Sequence, residues 1–413
     1  MSIKLIVIGG GASGMMCAGT AANAGANVIL LEKKDKLGLK LSLTGKGRGN
    51  ITNSQPNIKL FIEQFGRNGK FLYSAFNQFF NKELIKFFED LGVQTKEGHG
   101  GRIFPQSENA WDIVDALRKY LHQNNVHIEL QRKVKELLHF NNEIRGVITD
   151  KGNLFADKIV IATGGASYPK TGSTGDGYKF AKDTGHRVNP IYPVLVPLEL
   201  KQDTSSMNKL KLKNIAVSVW KKDKKLAERF GECIFTDFGL DGAVILSLSR
   251  ELKQEIRSDY LTLKIDLKPG LSDNQLHQRI IKESNIKGKS CIGSFLKSYL
   301  PQQIIPLVIN RSNIDSKKQV SHLIKEERKR LINTFKNLEF TIIGTRPISS
   351  ALVTSGGVEL SQIEPKTMAS KIMKGLYFVG EILDLDAETG GYNLQAAFST
   401  GYLAGKSAAK KRT

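Results

Sequence analysis

Ile3-Lys4-Leu5-Ile6-Val7-Ile8-Gly9-Gly10-Gly11-Ala12-Ser13-Gly14 is the stretch on which the fold turns. Ile3–Ile8 is an apolar, β-branched run that reads as a strand. Ser13–Asn23 is small and helical, and Val28–Leu31 is a second apolar run. Between strand and helix stand Gly9, Gly11 and Gly14, in the spacing G-x-G-x-x-G. The first glycine permits a tight turn, the second lets a diphosphate approach the backbone, and the third lets helix and strand pack closely. The helix N-terminus offers unpaired N–H groups and the positive end of its dipole. Glu32 closes the second strand eighteen residues past Gly14, where a carboxylate accepts hydrogen bonds from adenosine ribose hydroxyls. The pattern predicts a Rossmann-type α/β domain with a dinucleotide site. Three glycines end the apolar run, so it reads as a strand and not as a signal peptide.

The far end of the chain decides which dinucleotide. Leu376-Tyr377-Phe378-Val379-Gly380-Glu381 is a hydrophobic strand ending in glycine and an acid. Such a segment resembles flavoproteins of the glutathione-reductase type, in which the acid holds the ribityl chain. Thr389-Gly390-Gly391-Tyr392-Asn393-Leu394-Gln395 then opens a helix. Its N–H groups are suited to the pyrimidine edge of a flavin, where they stabilise negative charge. Ala162-Thr163-Gly164-Gly165 supplies a third turn of the same type. The three in this order point to FAD and not to NAD.

Between these ends the character of the chain changes twice. Helical patterns run over Ile58–Phe65, Phe71–Leu91 and Ala110–Asn124. Residues 127–150 alternate as short strands with Asn141-Asn142 as a turn, and Lys158–Ala162 is a buried strand. After Pro190, Pro193 and Pro197, residues 195–268 read as strands with Lys-rich turns. Asn274–Glu283, Ser294–Leu300, Ile304–Asn310 and Lys317–Phe335 read as helices, and α/β character returns near Phe340. Only Lys410–Arg412 reads as a disordered tail.

On longer strings the chain resembles the BaiN-like (YhiN-like) family of bacterial flavoproteins, also described as aminoacetone-oxidase-like. The strings are Lys40 to Asn53 (KLSLTGKGRGNITN), Gly101-Arg102-Ile103-Phe104-Pro105, Ala162–Pro169 with Thr171–Gly177, Val353–Val358 and the 376–405 segment. The resemblance implies an FAD domain of residues 1–189 and 341–413, a β-rich, barrel-like insert of 190–271 and a helical insert of 272–340. It implies FAD contacts from Gly47, Arg48 and Asn50, where a guanidinium and glycine N–H groups suit a diphosphate or the polar edge of a flavin. Ala12, Ser13, Lys33, Lys40 and Val134 join the expected contacts. The chain departs from the family at Gly49, where a cysteine is usual. Since the chain operates without that thiol, Gly49→Cys is expected to leave activity largely intact. It departs again over Phe235–Ala243, which lacks the family's His, Ser and Pro.

Composition narrows the classes further. The 413 residues are 40% hydrophobic and 24% charged, with no run of the roughly 18 apolar residues that a membrane span needs. Cys17, Cys233 and Cys291 form no C-x-x-C pair and the seven histidines no H-x-x-x-H, so neither a metal site nor a disulfide framework is expected, and a cytoplasmic location is. His186 reads as a packing residue as readily as a functional one. The net charge is +21, and residues 201–350 hold 28 Lys+Arg against 16 Asp+Glu. That excess is a solvated surface or the footprint of an anionic partner such as RNA. No second G-x-G-x-x-G stands in strand–turn–helix context, so no dedicated NAD(P)H domain is expected, and reducing equivalents come from NAD(P)H as a transient co-substrate, from another donor or from the substrate itself. The reading is an FAD-dependent oxidoreductase acting on a small molecule, reducing an electron-poor C=C bond with flavin N5 as the hydride source. The alternatives are oxidation of a small amine with peroxide formation, or an RNA-binding flavoprotein acting on structured RNA.

Overall fold

A computed structural model describes residues 2–410 of the chain, so residues 411 and 412 of the expected tail lie outside the described residues. The chain forms two compact units, Met1–Tyr192 with Ala351–Thr413, and Pro193–Ser350.

The first unit is built on a parallel sheet of β1 (Lys4–Ile8), β2 (Asn27–Leu31), β3 (His127–Glu129), β4 (Lys158–Ile161) and β5 (Leu376–Phe378), in the order β5-β4-β1-β2-β3. β4 and β5 are buried along their whole length, as expected of strands covered on both faces. Register places Ile8 opposite both Leu31 and Ile161, and Ile161 opposite Phe378. The carboxyl ends of four strands therefore finish on one line. Gly9, Glu32, Ala162 and the Gly380-Glu381 turn leave the sheet along that line, where open α/β sheets bind their ligands. The helix Ala12–Asn23 returns the chain from β1 to β2. A three-stranded meander follows β3, and Asn141 and Asn142 make its first turn at φ of 48° and 56°. Those angles match the twist of a two-residue hairpin.

The second unit holds a closed six-stranded barrel of Leu198–Leu200, Gly239–Asp241, Lys224–Phe235, Lys211–Lys221, Leu261–Asp266 and Leu338–Thr345, in that order. In Leu261–Asp266 the burial alternates, with Leu261, Leu263 and Ile265 inward. The helices Asp273–Lys287, Ile292–Leu296, Ile305–Arg311 and Lys325–Lys336 interrupt the barrel in sequence, yet their apolar residues join its core.

Several expected boundaries move. The return to the first unit falls at Ala351, not at 341, because Leu338–Thr345 pairs with Leu261–Asp266 inside the barrel. Strands and helices of the insert form one unit and not two. The segment read as strands also contains the helix Ala243–Glu251. The helix expected over Phe71–Leu91 is broken, and it restarts at Asn81, where Glu83 Oε2 accepts the Phe80 N–H at 3.0 Å. The Lys317–Phe335 helix begins only at Lys325, capped by Glu327 Oε2 on the Ile324 N–H at 3.0 Å.

Candidate functional site

The site begins at the turn after β1. Gly9 has φ +107°, and a Cβ there would stand 2.5 Å from the carbonyl oxygen of Ala162. Gly14 lies against the Gly9 carbonyl, so the helix rests directly on the turn. The first helical bond runs from Met15 N–H to Gly11 O at 2.9 Å. The N–H groups before it have no partner within the helix and form an anion site with the dipole end. At the end of β2 both oxygens of Glu32 are fixed by backbone donors: Gly10 N–H reaches Oε2 and Lys34 N–H reaches Oε1, each at 2.8 Å. This carboxylate is preset, with acceptor capacity left for a ribose.

The opposite wall is a polar network. Lys40 Nζ lies 2.5 Å from Glu381 Oε2 and 2.6 Å from Ser167 Oγ. Glu381 Oε1 accepts the Thr354 N–H at 2.9 Å. Nearby, Lys33 donates to Thr174 Oγ1 at 2.5 Å and to Asp176 Oδ2 at 2.6 Å. Burial works to raise the pKa of Asp176, but the hydrogen bond and charge of Lys33 outweigh it and hold the group below its ordinary value.

Between these walls lies an open, elongated cavity that runs from the Gly9–Ser13 turn to Gly380 and Glu381. Of the expected contacts, Gly9, Gly11, Ala12, Ser13, Glu32, Lys33, Lys40, Val134, Ala162, Thr163, Gly164, Gly380, Glu381 and Asn393 line it. Lys36, Arg132 and Lys133 add positive charge, while Leu41, Phe180, Leu352, Val353, Leu385 and Leu394 supply apolar wall. A helix N-terminus, a preset carboxylate, a cationic rim and apolar faces are what the diphosphate, ribose and two ring systems of FAD require. The residues present fit FAD.

The other expected contacts stand away from this lining. Arg48 donates to Gly45 O at 3.1 Å and lies 4.6 Å over the Phe104 ring; Gly47 is in the same loop. The Asn50 amide donates to Thr52 O at 2.9 Å and accepts the Gly391 N–H at 2.9 Å, which pins the start of the last helix, Tyr392–Ala408. Tyr392 packs edge-on against Phe61 at 4.6 Å. Gln395 is fully buried and engaged by Thr52 Oγ1 at 2.6 Å and Ser399 Oγ at 2.9 Å. Asn50, Tyr392 and Gln395 hold the turn that carries Asn393. Sequence reasoning missed Lys36, Arg132, Asp176 and Leu352. Asp176 lay inside the quoted string Thr171–Gly177, whereas the others carry no local signal. His186 is 4% exposed, sits between Thr184 Oγ1 and Ser370 Oγ at 3.0 and 2.7 Å, and is a packing residue. Among the described residues, no group of three or more His, Cys, Asp or Glu could hold a metal ion.

The family described as HI0933-like protein Rossmann domain matches residues 3–407. A 3-dehydro-bile acid delta(4,6)-reductase from Clostridium scindens is 32% identical over 413 residues, 99% of each chain. A ribosomal RNA dihydrouridine synthase from Haemophilus influenzae is 28% identical over 400 residues, 96% of each. Among solved structures, the fold is similar to a 3-ketosteroid-delta4-(5alpha)-dehydrogenase from Rhodococcus jostii, with a TM-score of 0.54 at 14% identity over 99% of this chain and 97% of that one.

Proposed function

The chain belongs to the HI0933-like family, and from that membership we propose that it reduces a carbon–carbon double bond conjugated to a carbonyl group. It is an FAD-dependent oxidoreductase. The observation that carries the proposal is the likeness, over 99% of both chains, to a protein named as a delta(4,6)-reductase of a 3-oxo bile acid. The dihydrouridine synthases among its relatives are named for a product that differs from uridine by two added hydrogens. Both names describe saturation of a polarised C=C bond.

When bound, FAD supplies the hydride from N5 of its reduced ring. The protein supplies position and charge. The turn Gly9–Gly14 and the helix behind it neutralise the diphosphate. Glu32, held by two backbone N–H groups, takes the adenosine ribose. At the other end the helix Tyr392–Ala408 makes its first bond from Gln395 N–H to Gly391 O at 3.0 Å, leaving earlier N–H groups to favour negative charge on the flavin pyrimidine edge. Asn393, bonded to Ala387 N–H and Ala387 O at 2.9 Å each, holds that turn against the cavity. The proposed electron donor is NAD(P)H docking transiently in the substrate cleft, since the single dinucleotide fingerprint leaves no second domain to hold it.

A second reading concerns the substrate and keeps the chemistry: a uracil ring within structured RNA. The rRNA-directed relatives and the basic excess of residues 201–350 favour it. Anaerobic stopped-flow spectroscopy tests both. NAD(P)H should bleach the flavin, and a 3-oxo-4,6-diene steroid or a uridine-containing ribosomal fragment should restore its colour at a catalytic rate. Bleaching by a small amine, with peroxide formed one-for-one in air, would replace the proposal with an amine oxidase.

A further inference from the structure

Glu381 does not face the cavity as an isolated carboxylate. Lys40, which precedes it by 341 residues, reaches it at 2.5 Å, and both side chains are largely covered, at 24% and 20% exposure. The pair is itself held. Ser167, fully buried, accepts from Lys40 at 2.6 Å and donates to Glu381 Oε1 at 3.3 Å. Thr354 N–H reaches the same oxygen at 2.9 Å, and Thr354 Oγ1 accepts the N–H groups of Ala166 and Ser167 at 2.9 and 3.2 Å. Three other segments of the chain, at Lys40, Ser167 and Thr354, thus meet on one carboxylate in the cavity wall.

Charge gives this arrangement its meaning. The cavity is suited to a cofactor with a dianionic diphosphate and a ring that gains negative charge on reduction. An uncompensated carboxylate on its wall opposes both, and the effect is large where water is scarce. We propose that Lys40 is a positioning residue that neutralises Glu381, letting this acid serve as a hydrogen-bond acceptor toward the cofactor without repelling it. Lys40 acts through Glu381 and not as a phosphate ligand in its own right. The inference rests on the FAD assignment and is independent of the substrate, so failure to reduce any enone leaves it standing.

A charge cycle tests it, read by FAD dissociation constant, flavin midpoint potential and apoprotein melting temperature. Lys40→Met should raise the Kd for FAD by about tenfold or more, since it strands a covered carboxylate. It should also move the midpoint potential to more negative values and lower the apoprotein melting temperature. Lys40→Arg should keep all three near wild type. Lys40→Met with Glu381→Gln should return the Kd to within about threefold of wild type and recover the potential. If Lys40→Met alone does not fold, folding and FAD binding of the double variant against wild type carry the test. An unchanged Kd in Lys40→Met overturns the proposal. So does a double variant that binds FAD as weakly as Lys40→Met, which would make Lys40 a direct phosphate ligand.

Discussion

At Gly49 one backbone angle argues against an expectation drawn from the family resemblance. The family resemblance places a cysteine at this position, and since the chain operates without that thiol, introducing it reads as harmless. Gly49 has φ +79°, and a Cβ there would come within 3.0 Å of the Ala110 Cα and 3.3 Å of the Pro105 Cδ. A side chain in this left-handed conformation, pressed on backbone, costs about 1–3 kcal/mol. Gly49→Cys should therefore lower the unfolding free energy by about that amount and loosen FAD retention, since the loop also carries Asn50. Equal stability in urea titrations of the two proteins would refute this. At His186, burial pushes the imidazole pKa down to about 4 from its usual 6.5. The unfolded chain takes up this proton near pH 6.5 and the folded one only near 4. The stabilisation is therefore complete above 6.5 and is lost as pH falls through that window, by at most about 3 kcal/mol. In His186→Gln the pH dependence between 6.5 and 4 should flatten relative to wild type. A difference between the two proteins that stays constant across this range would show that His186 does not titrate as described.

At the level of elements, what could be read from sequence was what local spacing encodes. The strand–glycine–helix unit at Ile3–Asn23 and the Gly380-Glu381 turn announce themselves because each needs particular residues within a dozen positions. The barrel strand Leu338–Thr345 could not be assigned to its unit, because an apolar strand looks the same whichever sheet it joins. Its partners, Leu198–Leu200 and Leu261–Asp266, lie more than 70 residues upstream. The break before Asn81 was hidden for another reason. Phe71–Leu91 keeps helical periodicity throughout, and only the Glu83 cap marks the restart. In the site the same division holds. Glu32 follows from its strand, but the pairing of Lys40 with Glu381 spans most of the chain and leaves no trace in either motif. Motif membership also says which residues share a turn and not which side they face. Asn393 reaches the cavity from the turn that buries Gln395.

Across the whole molecule, net charge is the property that sequence alone leaves open between solubility and an anionic partner. Pairing in the second unit weighs on that choice. Lys221 reaches Asp259 at 2.6 Å, Lys211 reaches Glu232 at 2.7 Å, Arg229 reaches Glu251 at 2.7 Å, and Lys225 is paired with Glu228. On the outer barrel face Lys264 is bonded to Glu339 at 2.9 Å while lying 5.0 Å over the Trp220 ring. A lysine already held by a carboxylate contributes little to counterion release, which follows the number of phosphates neutralised. Of the Lys221–Lys225 run, Lys222 and Lys224 are the lysines for which no ion pair is found among the described residues. Changing all four lysines to Gln should therefore reduce the slope of log K against log salt for RNA by about 2 at most. Four phosphate contacts would give roughly 3–4, at about 0.7–0.9 per phosphate. FAD content should not change. Titration of a ribosomal RNA fragment at 50, 100 and 200 mM salt, with roughly these ionic strengths spanning the range where such contacts are lost, measures the slope directly. A fall near 4 would establish the run as a phosphate-binding stripe despite its ion pairs. A fall near zero, with binding retained, would place the RNA contacts elsewhere on the protein.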